Sequence, residues 1–201
     1  MNKFTILMLA GATSLLVACS PIKPSITNQY KLDSYSEKRL AGKFTRQSIL
    51  IAAPEAVTGY QTDQMLYIKK YFELSSFAHN SWIGPPADML FPLIVQSVQR
   101  SGYFRAVSSS PSQEQTDYRL DTQLLELEQV FLKIPSEIKL TVKVVLTNVH
   151  DGRVVASRVI QQRVKCPFDS PYGGVVAANL ATRQFTAELS HFIITHVKRD
   201  K

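Results

Sequence analysis

The 201-residue chain holds two cysteines and four histidines, and their positions decide which reactive chemistry is open to it. Cys19 closes an apolar run, in Leu16-Val17-Ala18-Cys19, where a thiol behind a small residue suits acylation and cleavage just before the cysteine. Cys166 lies in Val164-Lys165-Cys166-Pro167-Phe168, at the apparent end of a strand. With Cys19 acylated, Cys166 has no partner in the chain, so a small buried side chain is expected; an intermolecular disulfide or a reactive thiol would need exposure. His79, His150, His191 and His196 offer no metal face, because His191 and His196 are five apart on a helical stretch rather than four. Serines are frequent, yet there is no G-x-S-x-G elbow, no P-loop and no dinucleotide-binding glycine fingerprint. A non-enzymatic chain is expected, with no catalytic residue, metal or cofactor.

The N-terminus determines where the chain must work. Lys3 supplies a short basic region, and Phe4 to Val17 form an apolar stretch too short to span a bilayer comfortably, which predicts a secretory signal rather than a membrane helix. Leu16 to Cys19 resembles the bacterial lipobox, in which the cysteine thiol is diacylated and the new amino terminus is often acylated too. Each buried CH₂ contributes about 0.8 kcal/mol and one chain anchors marginally, so two or three make anchoring durable. The alternative is an ordinary signal peptide with a chance cysteine. Ser20, rather than an aspartate, follows Cys19, which resembles an outer-membrane lipoprotein facing the periplasm. Residues 1–18 are therefore assigned to a lipoprotein signal peptide, 19–29 to the lipidated cysteine and an extended tether with Pro21 and Pro24, and 30–201 to a single domain. Removing Lys3 from the 23 basic residues leaves 22 against 16 acidic ones, a net +6 that suits anionic headgroups or an acidic partner. No long basic run accompanies it, and export argues against nucleic acid.

The elements that must position any site are readable from period. Tyr30 to Leu32 predicts a short strand, Ser34 to Gln47 a loop, and Ser48 to Ala53 a buried strand ended by Pro54. Tyr60 and Met65 to Ile68 suit a half-buried strand, Tyr71 to Trp82 its hairpin return, and Trp82 a loop before Pro85-Pro86. Met89, Leu90, Leu93, Ile94 and Val98 then fall on one helical stripe; Pro92 means that the helix starts either near Pro86 or near Pro92, and Gly102 stops it. Ser108 to Gln115 is expected to be loop. Asp117 to Phe131 changes phase between Leu124 and Leu125, which predicts a bulge, and Ile138 to Leu146 alternates cleanly. Asp151-Gly152 turns the chain into a strand over Val154 to Val164, and after a loop from Pro167 to Gly174 the stripe Ala178, Ala181, Phe185, Leu189, Phe192, His196 predicts a helix from about Val175 to Val197. The fold class expected is α+β: a two-layer sandwich of a mainly antiparallel or mixed sheet against two helices.

The order of a buried strand, Gly59-Tyr60, Met65-Leu66-Tyr67, Phe77-Ala78 with Asn80 and Trp82, Pro85-Pro86, Met89-Leu90 and Ser101-Gly102-Tyr103-Phe104 resembles the ABC-type transport auxiliary lipoprotein family, which includes the paraquat-inducible C-type lipoproteins. The likeness covers nearly the whole mature domain and lies in packing and turn residues, together with the lipobox. Relatives often have an arginine just before the tryptophan; this chain has Ser81. The resemblance implies a non-enzymatic, lipid-anchored accessory that works beside an MCE-type substrate-binding protein, a permease and an ATPase in moving phospholipids or other hydrophobic molecules between the inner and outer membranes. Lipid itself and a homo-oligomer are further partners it admits. The alternatives are an envelope scaffold lipoprotein without a transport role and, more distantly, a secreted hydrolase. Tyr60 and Trp82 are candidates for an apolar surface that meets partner or lipid, since tryptophan is enriched at interface centres and membrane interfaces; for Trp82 the competing role is to cap the core.

Overall fold

A computed structural model describes residues 28–42, 44–111 and 115–200; the signal peptide, Cys19 and most of the tether lie outside the described residues. The fold is organised on β7 (Tyr118–Val130), the longest strand. Along one edge it pairs antiparallel with β8 (Glu137–Asn148), which pairs antiparallel with β9 (Val154–Lys165). Along the other edge three segments follow one another in parallel register: β2 (Ser48–Ile51), the two-residue β3 (Glu55–Ala56) and β4 (Gln64–Lys70). Outside these sit β6 (Ala106–Ser109), parallel to β2, and β5 (Glu73–Trp82), antiparallel to β4. β1 (Asn28–Tyr30) is parallel to the end of β5 and closes that side. The sheet is thus mixed, with long antiparallel ladders on one side of β7 and short parallel ones on the other.

Two helices cover one face, and a two-layer α+β sandwich results. α1 (Pro86–Arg100) and α2 (Pro171–Arg199) meet through Ser97, whose hydroxyl donates to the Thr186 carbonyl at 3.1 Å and lies 3.1 Å from Ser190 Oγ. The apolar stripe of α1 is buried as its spacing predicts, from Met89 to Val98. Pro86 takes the first helical position, where its missing N–H costs nothing, and Pro92 is carried on the exposed side of the same element. Gly102 stops the chain at φ +67°. Facing α2 are the alternating residues Ile138, Leu140, Val142, Val144 and Leu146 of β8, all buried, while α1 lies over β6 and β7. The phase change in β7 is a register shift between Leu124 and Glu126, which keeps Leu120, Leu124 and Leu127 on the core.

Four sequence expectations give way. Ser108 and Ser109 belong to β6 rather than to a serine-rich loop, because the parallel ladder with β2 supplies backbone partners that a weak strand sequence does not advertise. Trp82 is the last residue of β5 rather than the centre of a loop. Tyr60 lies in the turn before β4, not in the strand. Finally, α2 begins at Pro171, four residues before Val175, since Ser170 caps it by accepting the Gly173 amide at 3.1 Å. Cys166 is buried just beyond β9, and its thiol is pushed up by burial, as suits an inert packing residue.

Candidate functional site

The face of the sheet opposite the helices carries a polar cluster around the bulge in β7. After the register shift, Glu126 and Glu128 both project away from the helices, across from Thr141 and Lys139 of β8. Lys139 Nζ lies 2.6 Å from Glu126, and the Thr141 hydroxyl donates to the same carboxylate at 2.6 Å. Burial alone would raise the Glu126 carboxyl, but these donors hold it below the ordinary glutamate value. Arg163 pairs with Glu137 across the β8–β9 ladder. Tyr60 folds over this face, and its hydroxyl donates to Glu128 at 2.5 Å. Burial, followed by that hydrogen bond to a carboxylate, pushes the Tyr60 phenol well above the ordinary tyrosine value. Glu128 is only 3% exposed, so Tyr60 satisfies a buried acceptor. Beside it a cleft of about 280 Å³ opens between the apolar walls of Ile68, Val130 and Leu132 and a charged side made of Glu128, Glu137, Lys133, Lys139 and Arg163.

Trp82 is enclosed in the interior. It is 3% exposed and packs in the core beside Met65, Phe77 and Leu127. Tyr60 reaches Glu128 from the turn before β4, whereas Trp82 is enclosed, lining a small space with Leu127, Glu128 and Gln129 of β7. They do not form one surface: Trp82 is a packing residue, and its large apolar area is spent inside. Cys19 lies outside the described residues. The glutamates on β7 escaped notice in the sequence; the signal for them was the phase change itself, which leaves Glu126 and Glu128 two apart opposite Lys139.

A family model for the ABC-type transport auxiliary lipoprotein component matches residues 30–190. The chain belongs to that family. Protein XCC0632 from Xanthomonas campestris has a similar structure, with 21% identity, a TM-score of 0.78, and coverage of 86% of this chain and 98% of its own. An uncharacterized protein is similar at 12% identity and a TM-score of 0.66, covering 84% of this chain and 99% of its own. Comparison with curated proteins found no match. At these identities the two structures speak for the fold alone. As a transport auxiliary lipoprotein, the chain is an envelope-associated component of a transport system.

Two predictions arise here. Tyr60→Phe leaves the buried Glu128 carboxylate without its phenolic donor and is expected to cost roughly 1 to 3 kcal/mol; urea unfolding of the variant checks it, and an unchanged midpoint would mean that water replaces the phenol. The second concerns acid. At the opposite end of the sheet, Asp200 receives Arg153 at 2.5 Å, the Asn148 amide at 3.0 Å and the Tyr118 hydroxyl at 3.0 Å, and Arg153 above all holds its carboxyl below the ordinary value. Asp117, which burial would raise, is held down by the hydroxyl and amide of Ser48 and by His150. Groups with lowered folded values stabilise the fold above their unfolded pKa and lose that contribution as pH falls through the folded one. The melting temperature is therefore expected to drop below about pH 4, the ordinary aspartate value, and Asp200→Asn is expected to flatten that dependence. Tyr118 has the opposite sign: burial, then the bond to Asp200, pushes it up to about 12, so its contribution is present below its ordinary value and fades as pH rises toward 12.

Proposed function

We propose that the chain is a lipid-anchored periplasmic accessory of an MCE-type transport system that moves phospholipids or other hydrophobic molecules between the inner and outer membranes. The observation that carries the reading is the family match over residues 30–190, behind a lipobox-like Leu16-Val17-Ala18-Cys19. Cys19 holds the acyl chains, Ser20 suits retention at the outer membrane, and the domain docks rather than catalyses. The permease and the ATPase supply the path and the energy. The cleft beside Tyr60 combines apolar walls with charges of both signs, Arg163 already paired with Glu137, which suits a partner segment bearing apolar and polar side chains.

Affinity isolation of the acylated protein from cross-linked envelopes tests this. Recovery of an MCE protein with its permease and ATPase is expected; recovery of outer-membrane proteins alone would overturn the transport role in favour of a scaffold. Cys19→Ala is expected to abolish acylation and leave the chain in precursor or soluble fractions, as fractionation and intact mass would read. Tight membrane association of a processed Cys19→Ala chain would sink the anchor.

A further inference from the structure

Three loops meet at one end of the sheet. The β4–β5 turn, Tyr71-Phe72, projects beyond the end of β7, where the Phe131 amide donates to the Ile68 carbonyl at 2.8 Å. The β7–β8 loop carries Ile134, and the β9–α2 loop is tied to it by the Cys166 amide on the Ser136 carbonyl at 2.8 Å and the Ser136 amide on Asp169 at 2.6 Å. Each loop presents a large apolar side chain to solvent: Phe72 is 105% exposed, Ile134 90% and Phe168 57%. Phe72 also sits at φ +67°, a backbone region that bulky L-residues rarely adopt and where glycine or asparagine would be the ordinary choice. An aromatic side chain fully exposed on a strained turn does nothing for the core. Its role lies outside the fold.

What it meets follows from where the chain enters the domain. β1 is parallel to the last residues of β5, with Asn28 beside Asn80, eight residues along the chain from Phe72. Tyr30 packs on Tyr172 in the first turn of α2, with ring centroids 6.1 Å apart, and the loop that caps α2 is the one bonded to Ser136. Cys19 is nine residues before Asn28. At roughly 3.3 to 3.6 Å per residue that segment spans at most about 30 Å, so acyl chains on Cys19 keep the bilayer within reach of this end. The charge agrees. Exposed Lys69, Lys70, Lys133 and Lys165 surround the three loops against Glu73 and Asp169, which suits an anionic headgroup layer.

We infer that the Tyr71-Phe72 turn, Ile134 and Phe168 form a membrane-facing surface that enters the interface of the anionic phospholipid bilayer holding Cys19, fixing the orientation of the domain on that membrane. The inference rests on the lipid-anchored reading above. The test uses the full acylated chain in phosphatidylethanolamine–phosphatidylglycerol vesicles. An environment-sensitive probe is placed on Phe72→Cys, on Ile134→Cys and, at the opposite end, on Asp151→Cys, with the chain lacking an added cysteine as labelling background for buried Cys166. Doxyl-labelled phospholipid is expected to quench the probes at 72 and 134 at least two-fold more than the probe at 151. Equal quenching at all three positions would overturn the inference. Shielding of 72 from aqueous iodide without doxyl quenching would do the same, since protein would then cover the surface. Intact mass on the same preparation separates the two failures: an acylated chain without lipid quenching overturns this surface and leaves the anchor, whereas an unmodified chain overturns the anchor and the inference with it.

Discussion

Replacing Trp82 by alanine is expected to cost about 3 to 5 kcal/mol, the range for emptying a tryptophan site in a core. Trp82 ends β5 with 3% of its surface exposed, against Met65, Phe77 and Leu127. Its position is held from both directions: the Trp82 amide donates to the Asp63 carbonyl at 2.7 Å, and the next amide, of Ile83, donates to Tyr30 at 2.8 Å. The backbone cannot fold in to fill the space without giving up these bonds or the pairing of β1. At about 2 to 4 °C per kcal/mol for a domain of this size, the melting temperature should fall on the order of 10 °C. Partner capture, measured below the new midpoint, is expected to persist. An unchanged melting temperature with lost capture would return Trp82 to the role of a contact residue.

The strongly periodic elements were legible in the sequence because the core demands them. β8 alternates over its whole length since one face packs on α2, and the β7 bulge appears as a phase change because Leu120, Leu124 and Leu127 must all reach that core. What stayed hidden has no such demand. β6 is four residues at the sheet edge, half of them serine, and owes its existence to backbone pairing with β2. β5 reads as a polar string because most of its length is exposed, so Trp82 looks like a loop residue although it is the one side chain of β5 fully committed to the interior. Of the candidate surface, Tyr60 was visible as an aromatic residue near a glycine. Its partner was not, because which glutamate lies beneath it depends on parallel pairing of β4 with β7 across more than 60 positions of chain. The exposed loops at 72, 134 and 168 are spread through the sequence, and only the topology makes them neighbours.

Gly173→Ala is expected to destabilise the fold by about 3 kcal/mol, the upper part of the range for forcing extra volume into packed structure. In an unhindered helix the same change helps by about 1 kcal/mol, because glycine is the poorer helix former, so the sign of the effect reports on the packing. A Cβ at Gly173 would lie 2.1 Å from the Phe168 carbonyl oxygen and 2.9 Å from its carbon. Both are backbone atoms of the loop that leads into the Ser170 cap, and neither can move without disturbing the cap. Gly174→Ala meets a different obstacle, the Gln129 side-chain oxygen at 2.4 Å. A side chain can swing, but Gln129 is buried, and its amide donates to Ser136 at 3.0 Å and to the Ser170 carbonyl at 3.2 Å. The cost there is expected to be smaller, roughly 1 to 2 kcal/mol for the lost hydrogen bonds. The glycine pair that in the sequence marks the end of a loop is, in this fold, what lets the first turn of α2 close against its own cap and against β7. Urea unfolding of the two variants decides the matter. A stabilised Gly173→Ala chain would mean that the helix begins near Val175 after all, with Pro171 to Gly174 as loop, whereas a loss at 173 larger than at 174 places the start of α2 at Pro171.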